Sequence, residues 1–248
     1  MNQSAITIQD LSFQYPGREG TFIKQFDLDI AAGERFGLFG PNGAGKTTLM
    51  CLMTGLLSYT KGSIQILGNE IRNHPKSINR IFGYVPQDFS FYPELSPRDN
   101  LDFYGAWYGL TRSQIKQRTA ELLEVLGLTP VADRDIRSFS GGMMRRFNLA
   151  IGVIHEPRVL FLDEPTVGVD VQSRHAIIDY LKSLNQKGTT LIYTSHQLEE
   201  AATLCTSIAL MDDGKIIARD SLDGLLLKHG HEKMEELFLA LTGKSFRD

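Results

Sequence analysis

The stretch Gly40-Pro41-Asn42-Gly43-Ala44-Gly45-Lys46-Thr47 fits the pattern G-x-x-x-x-G-K-[ST], and its two flanks set the architecture. The apolar run 36–39 leads straight into it, and from Thr47 to Leu57 the apolar spacing turns helical. A strand, a glycine-rich loop and a helix in that order aim successive backbone N–H groups at one point, beside the positive end of the helix, which is a place for phosphate oxygens. Lys46 adds a point charge; a unit pair at ~4 Å and an effective dielectric of ~20 is worth about 4 kcal/mol before desolvation. The Thr47 hydroxyl is a suitable magnesium ligand. At average residue frequencies a chain of this length matches the pattern by chance on the order of 1% of the time, and the strand–loop–helix setting lowers that further. An ordinary glycine-rich turn is therefore the weaker reading.

Upstream of the loop, Ile6 and Ile8 alternate with polar residues, as do Phe26, Leu28 and Ile30, which is the period of a half-exposed strand. Downstream, 63–67 and 81–85 read as further strands bounded by glycine and proline. The middle differs. Leu101, Tyr104, Tyr108, Leu122, Val125 and Leu126 suit two helices split near Gly109, and Met144, Phe147, Ile151 and Ile154 give a third after Ser140. The last third resumes the alternation: strand 159–162, helix around 174–184, strand 190–194, a helix from His196, and strands near 208–211 and 215–218. Met234, Leu237, Phe238 and Leu241 then form one apolar helical face, expected to pack on the parent domain. The expected fold class is α/β: a mostly parallel sheet covered on both faces, an N-terminal antiparallel β part and an inserted helical subdomain. The expected division is a domain over 1–230, with the helical insertion at about 90–155, and a short helical extension over 231–248.

Composition narrows the function. The chain has 248 residues, 42% hydrophobic and 22% charged, enough to bury a substantial core and too apolar for general disorder. With 26 basic against 29 acidic side chains the net charge is −3, and no basic stripe is visible, so no nucleic-acid partner is expected. Cys51 and Cys205 lie far apart with no CxxC pair, so two reduced, mostly buried thiols are expected in place of a disulfide scaffold or zinc site. The polar start lacks the pattern of a secretory signal, and no stretch approaches the ~18 apolar residues that span a bilayer. Any membrane role is then borrowed from a partner.

Val159-Leu160-Phe161-Leu162-Asp163-Glu164 is an apolar strand ending in two carboxylates. Such a strand is buried on both faces, and its C-terminal end is where ligands sit in an open α/β sheet. Neighbouring strand positions point in opposite directions, so one acid can face magnesium and the other an attacking water. The plainer meaning, two acids opening a solvated turn before Pro165, is about as good alone and loses beside the phosphate loop. Ser140-Gly141-Gly142, ahead of the third helix, makes a second helix-N-terminal anion site. In isolation it is more simply a serine N-cap. One nucleotide pocket does not need two phosphate cradles, so this one is expected to face a partner's nucleotide.

With these stretches in view, the chain resembles the nucleotide-binding subunit of an ABC transporter over nearly its whole length. Gly40–Thr47 is similar to Walker A, Gln87 in Tyr84-Val85-Pro86-Gln87-Asp88 to the Q-loop glutamine, Ser140-Gly141-Gly142 to the signature, and Val159–Glu164 to Walker B. Val167-Gly168-Val169-Asp170 stands at the D-loop, Ser195-His196 at the switch histidine, and Tyr15 resembles the aromatic that stacks on adenine. The resemblance implies an ATPase whose two copies sandwich two ATP molecules, each site joining the Walker elements of one copy to the signature of the other. It implies nucleotide contacts from Tyr15, from Gly40, Pro41, Asn42, Gly43, Ala44, Gly45, Lys46, Thr47 and Thr48, and from Ser140, Gly141 and Gly142. It also implies magnesium ligation by Thr47, Gln87 and Asp163, and catalysis by Glu164, His196 and Gln87. Phe139 and Met143 depart from the commonest signature, L-S-G-G-Q, and Met143 lacks the amide. The S-G-G-M run, with 92–96 and 165–170, is similar to the branch of drug, sodium and polysaccharide exporters.

The reading that results is an ATP-binding subunit at the cytoplasmic face of a membrane, using ATP and Mg²⁺ to drive transport, with export favoured. Its expected partners are a second ATP-binding subunit, identical or paralogous, and a separate polytopic transmembrane subunit. Phe89, Phe91 and Tyr92 either pack inside the helical subdomain or line the groove that receives the membrane subunit's cytoplasmic helix. The first rival is a non-transport ATPase of the same type that remodels a protein or nucleoprotein. A GTPase switch or small-molecule kinase is the second. The guanine-selecting N-K-x-D pattern is absent, and neither of the latter explains Ser140–Gly142.

Overall fold

The structure, a computed structural model, describes residues 3–17, 19–72, 78–196 and 198–243. The last five residues of the expected extension, 244–248, lie outside these. In chain order the elements are β1 (Ser4–Phe13), β2 (Ile23–Ala31), β3 (Arg35–Phe39), α1 (Lys46–Met53), β4 (Lys61–Ile66), β5 (Asn69–Glu70) and β6 (Phe82–Val85). There follow α2 (Pro97–Trp107), α3 (Arg112–Val125), α4 (Gly141–Val153), β7 (Val159–Asp163), α5 (Val171–Gln186) and β8 (Thr190–Ser195). The chain ends with α6 (Leu198–Leu204), β9 (Ser207–Asp212), β10 (Lys215–Asp220), α7 (Leu222–His229) and α8 (Met234–Thr242). It divides into two compact units, one of residues 1–78 with 190–248 and one of residues 79–189.

The first unit holds an antiparallel sheet, ordered β2-β1-β4-β5, and the strands β10-β9-β3-β8. In the antiparallel sheet the alternation seen in sequence becomes a stack: Ile8 pairs with Leu28 on one side and Ile64 on the other, and Ile6 with Ile30 and Ile66, all buried. Strand β3 is instead buried from Phe36 to Phe39, flanked in parallel by β8 and β9, as a strand covered on both faces must be. Helix α1 ends at Met53, short of the Leu57 that the apolar spacing predicts. Thr54 caps it through its N–H to Met50, and Gly55 then turns the chain with a positive φ. Helix α7 has no counterpart among the expected elements, yet its ends are marked: Ser221 accepts from the Gly224 N–H, and Gly230 closes it in the left-handed region. On α8 the predicted face is real, with Met234, Leu237 and Phe238 buried and Leu241 half-buried; each fully buried side chain of this size contributes roughly 1.5–3 kcal/mol. Cys51 and Cys205 form no disulfide, and burial pushes the Cys205 thiol up to about 12, which makes it unreactive near neutral pH.

The second unit contains the parallel pair β6–β7 and helices α2 to α5. Helices α2, α3, α4 and α5 start on Ser96, Thr111, Ser140 and Asp170, each accepting a hydrogen bond from a backbone N–H of the first turn, and Thr111 with Gln114 completes a capping box. His155, just past α4, knits three elements. Its ring stacks on Tyr108 at 3.7 Å between centroids, and Nε2 lies 2.9 Å from the Phe82 carbonyl, which can only accept, so Nε2 carries the proton. Burial drives its pKa from 6.5 down to about 4, and Arg118 adds to this.

The folded state therefore refuses a proton that the unfolded chain takes up, and stability present above pH 6.5 is lost as pH falls toward 4. The full loss is about 3 kcal/mol. Thermal unfolding of the wild type and His155→Phe across this range is expected to show the steeper fall in the wild type. Parallel curves would contradict it.

Candidate functional site

The phosphate loop lies wholly in the first unit. Gly45 sits at φ 108°, where an L side chain is strained, and caps α1 with no side-chain hydrogen bond. The Ala44 N–H closes the loop on the Pro41 carbonyl at 3.1 Å, leaving Asn42 and Gly43 at its exposed crest. Lys46 is buried, and its ammonium donates to the carbonyls of Gly40 at 2.8 Å and Pro41 at 3.1 Å. Thus the loop wraps its own lysine, and an anion bound here would have to displace those two carbonyls. Thr47 is exposed at the helix start, whereas Thr48 is buried with Oγ1 2.5 Å from the Tyr15 hydroxyl. Tyr15 is half-buried, edge-on to Phe13 at 4.8 Å and tilted against Phe22 at 5.8 Å. It is thereby tethered to the helix that follows the loop.

His196 reaches the same place through sheet register. Phe39 of β3 pairs with Ser195 of β8 in parallel, so Gly40 and His196 leave adjacent strands at the same level. The turn is anchored below by buried Glu200, which accepts from the Ser195 hydroxyl at 2.9 Å and from the Tyr193 hydroxyl. The sequence reading missed Glu200.

In the second unit register does the same for the acids. Val85 pairs with Leu162, so Gln87 and Glu164 each stand two residues beyond a paired position on adjacent parallel strands. Gln87 Nε2 donates to Glu164 Oε2 at 3.3 Å. Asp163 ends the strand almost wholly buried, and Glu164 follows it at φ 50°, a left-handed conformation that costs a non-glycine residue about 1–3 kcal/mol and is found where surroundings over-determine a functional side chain. The two acids therefore do not continue simple strand alternation; the backbone twist at Glu164 re-aims its side chain toward Gln87. The implied magnesium ligands, Thr47, Gln87 and Asp163, offer a hydroxyl, an amide oxygen and a carboxylate. Gln87 and Asp163 lie in this unit and Thr47 in the other, and oxygen donors of each of these kinds suit a hard cation that keeps several of its waters.

Ser140 and Gly141 are exposed at the start of α4, and the Ser140 hydroxyl accepts from the Met143 N–H at 3.3 Å. The plainer meaning of the serine, an N-cap, is thus present. Gly142 is packed: a Cβ there would stand 2.6 Å from Ser173 Oγ and 2.8 Å from Asp170 Oδ2. Asp170 caps α5, accepting from the Ser173 N–H and hydroxyl at 2.8 Å each, and these bonds hold its carboxyl below the usual range. So the glycine lets the signature turn lie against the cap of the next helix.

Two further residues of α4 escaped the sequence reading. Arg145 and Asn148 are buried and bind the backbone around Gln87. The available signal was Asn148, a polar residue four positions after Met144 on the apolar stripe. Of the aromatics after Gln87, Phe91 packs inward on Phe147 at 5.6 Å, while Phe89 and Tyr92 are exposed. Tyr92 meets Phe103 at 5.2 Å, and Phe103 meets Trp107 at 6.5 Å, so an exposed aromatic face runs along α2.

The chain is similar to known proteins throughout. A family model described as ABC transporter matches residues 23–167. The linearmycin resistance ATP-binding protein LnrL of Bacillus subtilis (strain 168) is 41% identical over 226 residues, 91% of this chain and 73% of that protein. The Nod factor export ATP-binding protein I of Cupriavidus metallidurans is 40% identical over 196 residues, 79% of this chain and 65% of that protein. A solved structure titled as the ATP binding subunit of an ABC transporter superposes with a TM-score of 0.87 at 27% identity, covering 96% of this chain and 99% of that one. Matched by that model over residues 23–167 and 41% identical to a resistance ATP-binding protein over 91% of its length, the chain belongs to the ABC transporter family, as one of its ATP-binding ATPase subunits.

Proposed function

We propose that the chain hydrolyses magnesium-bound ATP to ADP and phosphate as half of a cassette pair, and so powers export through a separate membrane subunit. The observation that carries this reading is the Gln87–Glu164 contact at the ends of two parallel strands, in a chain that also owns a glycine-rich cradle around Lys46. The loop from Gly40 to Thr48 holds the phosphates, with Lys46 leaving the Gly40 and Pro41 carbonyls for phosphate oxygens, and Tyr15 stands by the adenine. Glu164 takes the proton of the attacking water; His196 contacts the terminal phosphate. Asp163, Thr47 and the Gln87 amide oxygen hold magnesium, which when bound neutralises phosphate charge. Ser140, Gly141 and Gly142, exposed or packed at a helix start, close over the nucleotide of the second chain.

Residues 1–230 form the ATPase domain in this reading, with its helical insertion at about 90–155, and 231–248 the extension. The membrane subunit's helix docks on the exposed aromatics Phe89, Tyr92, Phe103 and Trp107, which places the chain at the cytoplasmic face. No helix among the described residues is long and apolar enough to cross a membrane by itself. Export is favoured by the S-G-G-M signature and by relatives named for linearmycin resistance and Nod factor export.

Mixing two inactive variants tests the pairing. In a twofold pair, Lys46→Ala and Ser140→Arg chains leave one intact site in each mixed dimer, so an equal mixture is expected to recover about a quarter of wild-type ATPase activity. No recovery, with mixed pairs demonstrably formed, would contradict sites shared between chains.

A further inference from the structure

Residues 86–90 carry Gln87 away from β6, and one face of α4 holds them by their main chain. Asn148 donates from Nδ2 to the Pro86 carbonyl at 3.1 Å and accepts from the Ser90 N–H and hydroxyl at 3.0 and 2.9 Å. One turn earlier on α4, Arg145 donates to the Gln87 carbonyl and lays its guanidinium over the Phe89 ring, 4.7 Å from the centroid. From α2, the Tyr104 hydroxyl donates to the Ser90 carbonyl. Arg145 is 8% exposed and Asn148 1%. Burying a guanidinium and an amide is costly unless their polar atoms are used, and here they are used on the main chain of a five-residue segment whose Gln87 side chain reaches Glu164. Burial lowers the pKa of Arg145, and the charges of Asp88 and Glu164 oppose that.

The helix that provides this grip begins at Ser140–Gly142. Arg145 lies five residues past Ser140, about 7.5 Å along the axis, so one rigid turn and a half separates the exposed signature from the grip on Gln87. The neighbouring Arg146 turns elsewhere, to the carbonyls of Gly142 and Leu126. The two adjacent arginines thus have different tasks, and only Arg145 touches the Gln87 segment.

We propose that Arg145 and Asn148 are positioning residues for ATP hydrolysis: by gripping the main chain of residues 86–90 they set where the Gln87 amide stands against Glu164, and they tie that placement to the signature helix. This rests on the reading of Gln87 and Glu164 as parts of the ATP site. Arg145 acts through Gln87, touching neither nucleotide nor metal, so its removal misplaces an existing group. A misplacement of about 1 Å can cost as much as 10²-fold in rate.

The test is a double-mutant cycle on the purified chain with Arg145→Ala, Arg145→Lys, Gln87→Ala and the Arg145→Ala/Gln87→Ala double variant. Arg145→Ala is expected to lower kcat about 10-fold or more while KM for ATP stays within about threefold. The lysine variant keeps a donor for the Gln87 carbonyl but loses the planar stack on Phe89, and is expected to recover part of that loss. Because the effect runs through Gln87, the double variant is expected to be no slower than Gln87→Ala alone.

Amide exchange supplies a readout separate from activity: residues 86–90 of the nucleotide-free protein exchange faster in Arg145→Ala and as in wild type in Gln87→Ala. Multiplying rate losses, or unchanged exchange at 86–90 in Arg145→Ala, would overturn the proposal. If Gln87→Ala leaves kcat intact, the site reading itself falls and takes this proposal with it. Should Arg145→Ala not fold, Asn148→Asp enters the same cycle, since it keeps the size and sets a carboxylate against the Pro86 carbonyl.

Discussion

Replacing Lys46 with alanine is expected to weaken ATP binding by about two orders of magnitude or more. The gross attraction of one ammonium for one phosphate charge, about 4 kcal/mol at ~4 Å in a partly screened site, corresponds to roughly 10³-fold. Part of that is offset. In the nucleotide-free chain the ammonium already donates to the Gly40 and Pro41 carbonyls at 2.8 and 3.1 Å, and those two bonds are given up when phosphate arrives. The balance still favours the lysine because phosphate brings a full opposite charge to the ammonium, whereas the carbonyls are neutral. Titration of the variant with a fluorescent ATP analogue checks this, with circular dichroism to verify the fold. Unchanged affinity would remove Lys46 from the cradle.

Glu164→Gln carries the second large effect, and its signature is the opposite. The substitution keeps the size of the side chain and its contact with Gln87 while removing the base, and general-base assistance is typically worth 10²–10⁴-fold. Turnover is therefore expected to fall by at least about 10²-fold with ATP still bound. The backbone at Glu164 has a left-handed φ of 50°, next to a proline and at the end of a fully buried strand, a conformation that the surroundings must hold in place. Stability is expected to change little, since glutamine meets the same backbone conformation at similar cost.

Much of this was legible in the chain because the informative features are local. The phosphate loop, the strand-end acids and the serine ahead of α4 each announce themselves within eight residues. What was hidden depends on register and on distant packing. That Gln87 stands beside Glu164 follows from Val85 pairing with Leu162, seventy-seven positions separating the two residues that meet. That Gly142 must be a glycine follows from Ser173 and Asp170 lying against it, whereas at its neighbour Gly141 a Cβ would meet nothing closer than the Gly168 carbonyl oxygen at 4.0 Å. Arg145 and Asn148 look in sequence like a charged and a polar residue on an amphipathic helix; only the fold turns them inward onto another segment's carbonyls. The end of α1 at Met53 and the presence of α7 were missed for a different reason. Their boundaries are set by Gly55, Ser221 and Gly230, stop and start signals that apolar spacing does not carry.

The most direct trial of the account measures bound ATP and released phosphate in one sample, for the wild type and for Glu164→Gln, with magnesium present. The account predicts that the variant retains intact ATP while phosphate appears at least about 10²-fold more slowly than in the wild type. Phosphate released by the variant at the wild-type rate would contradict it.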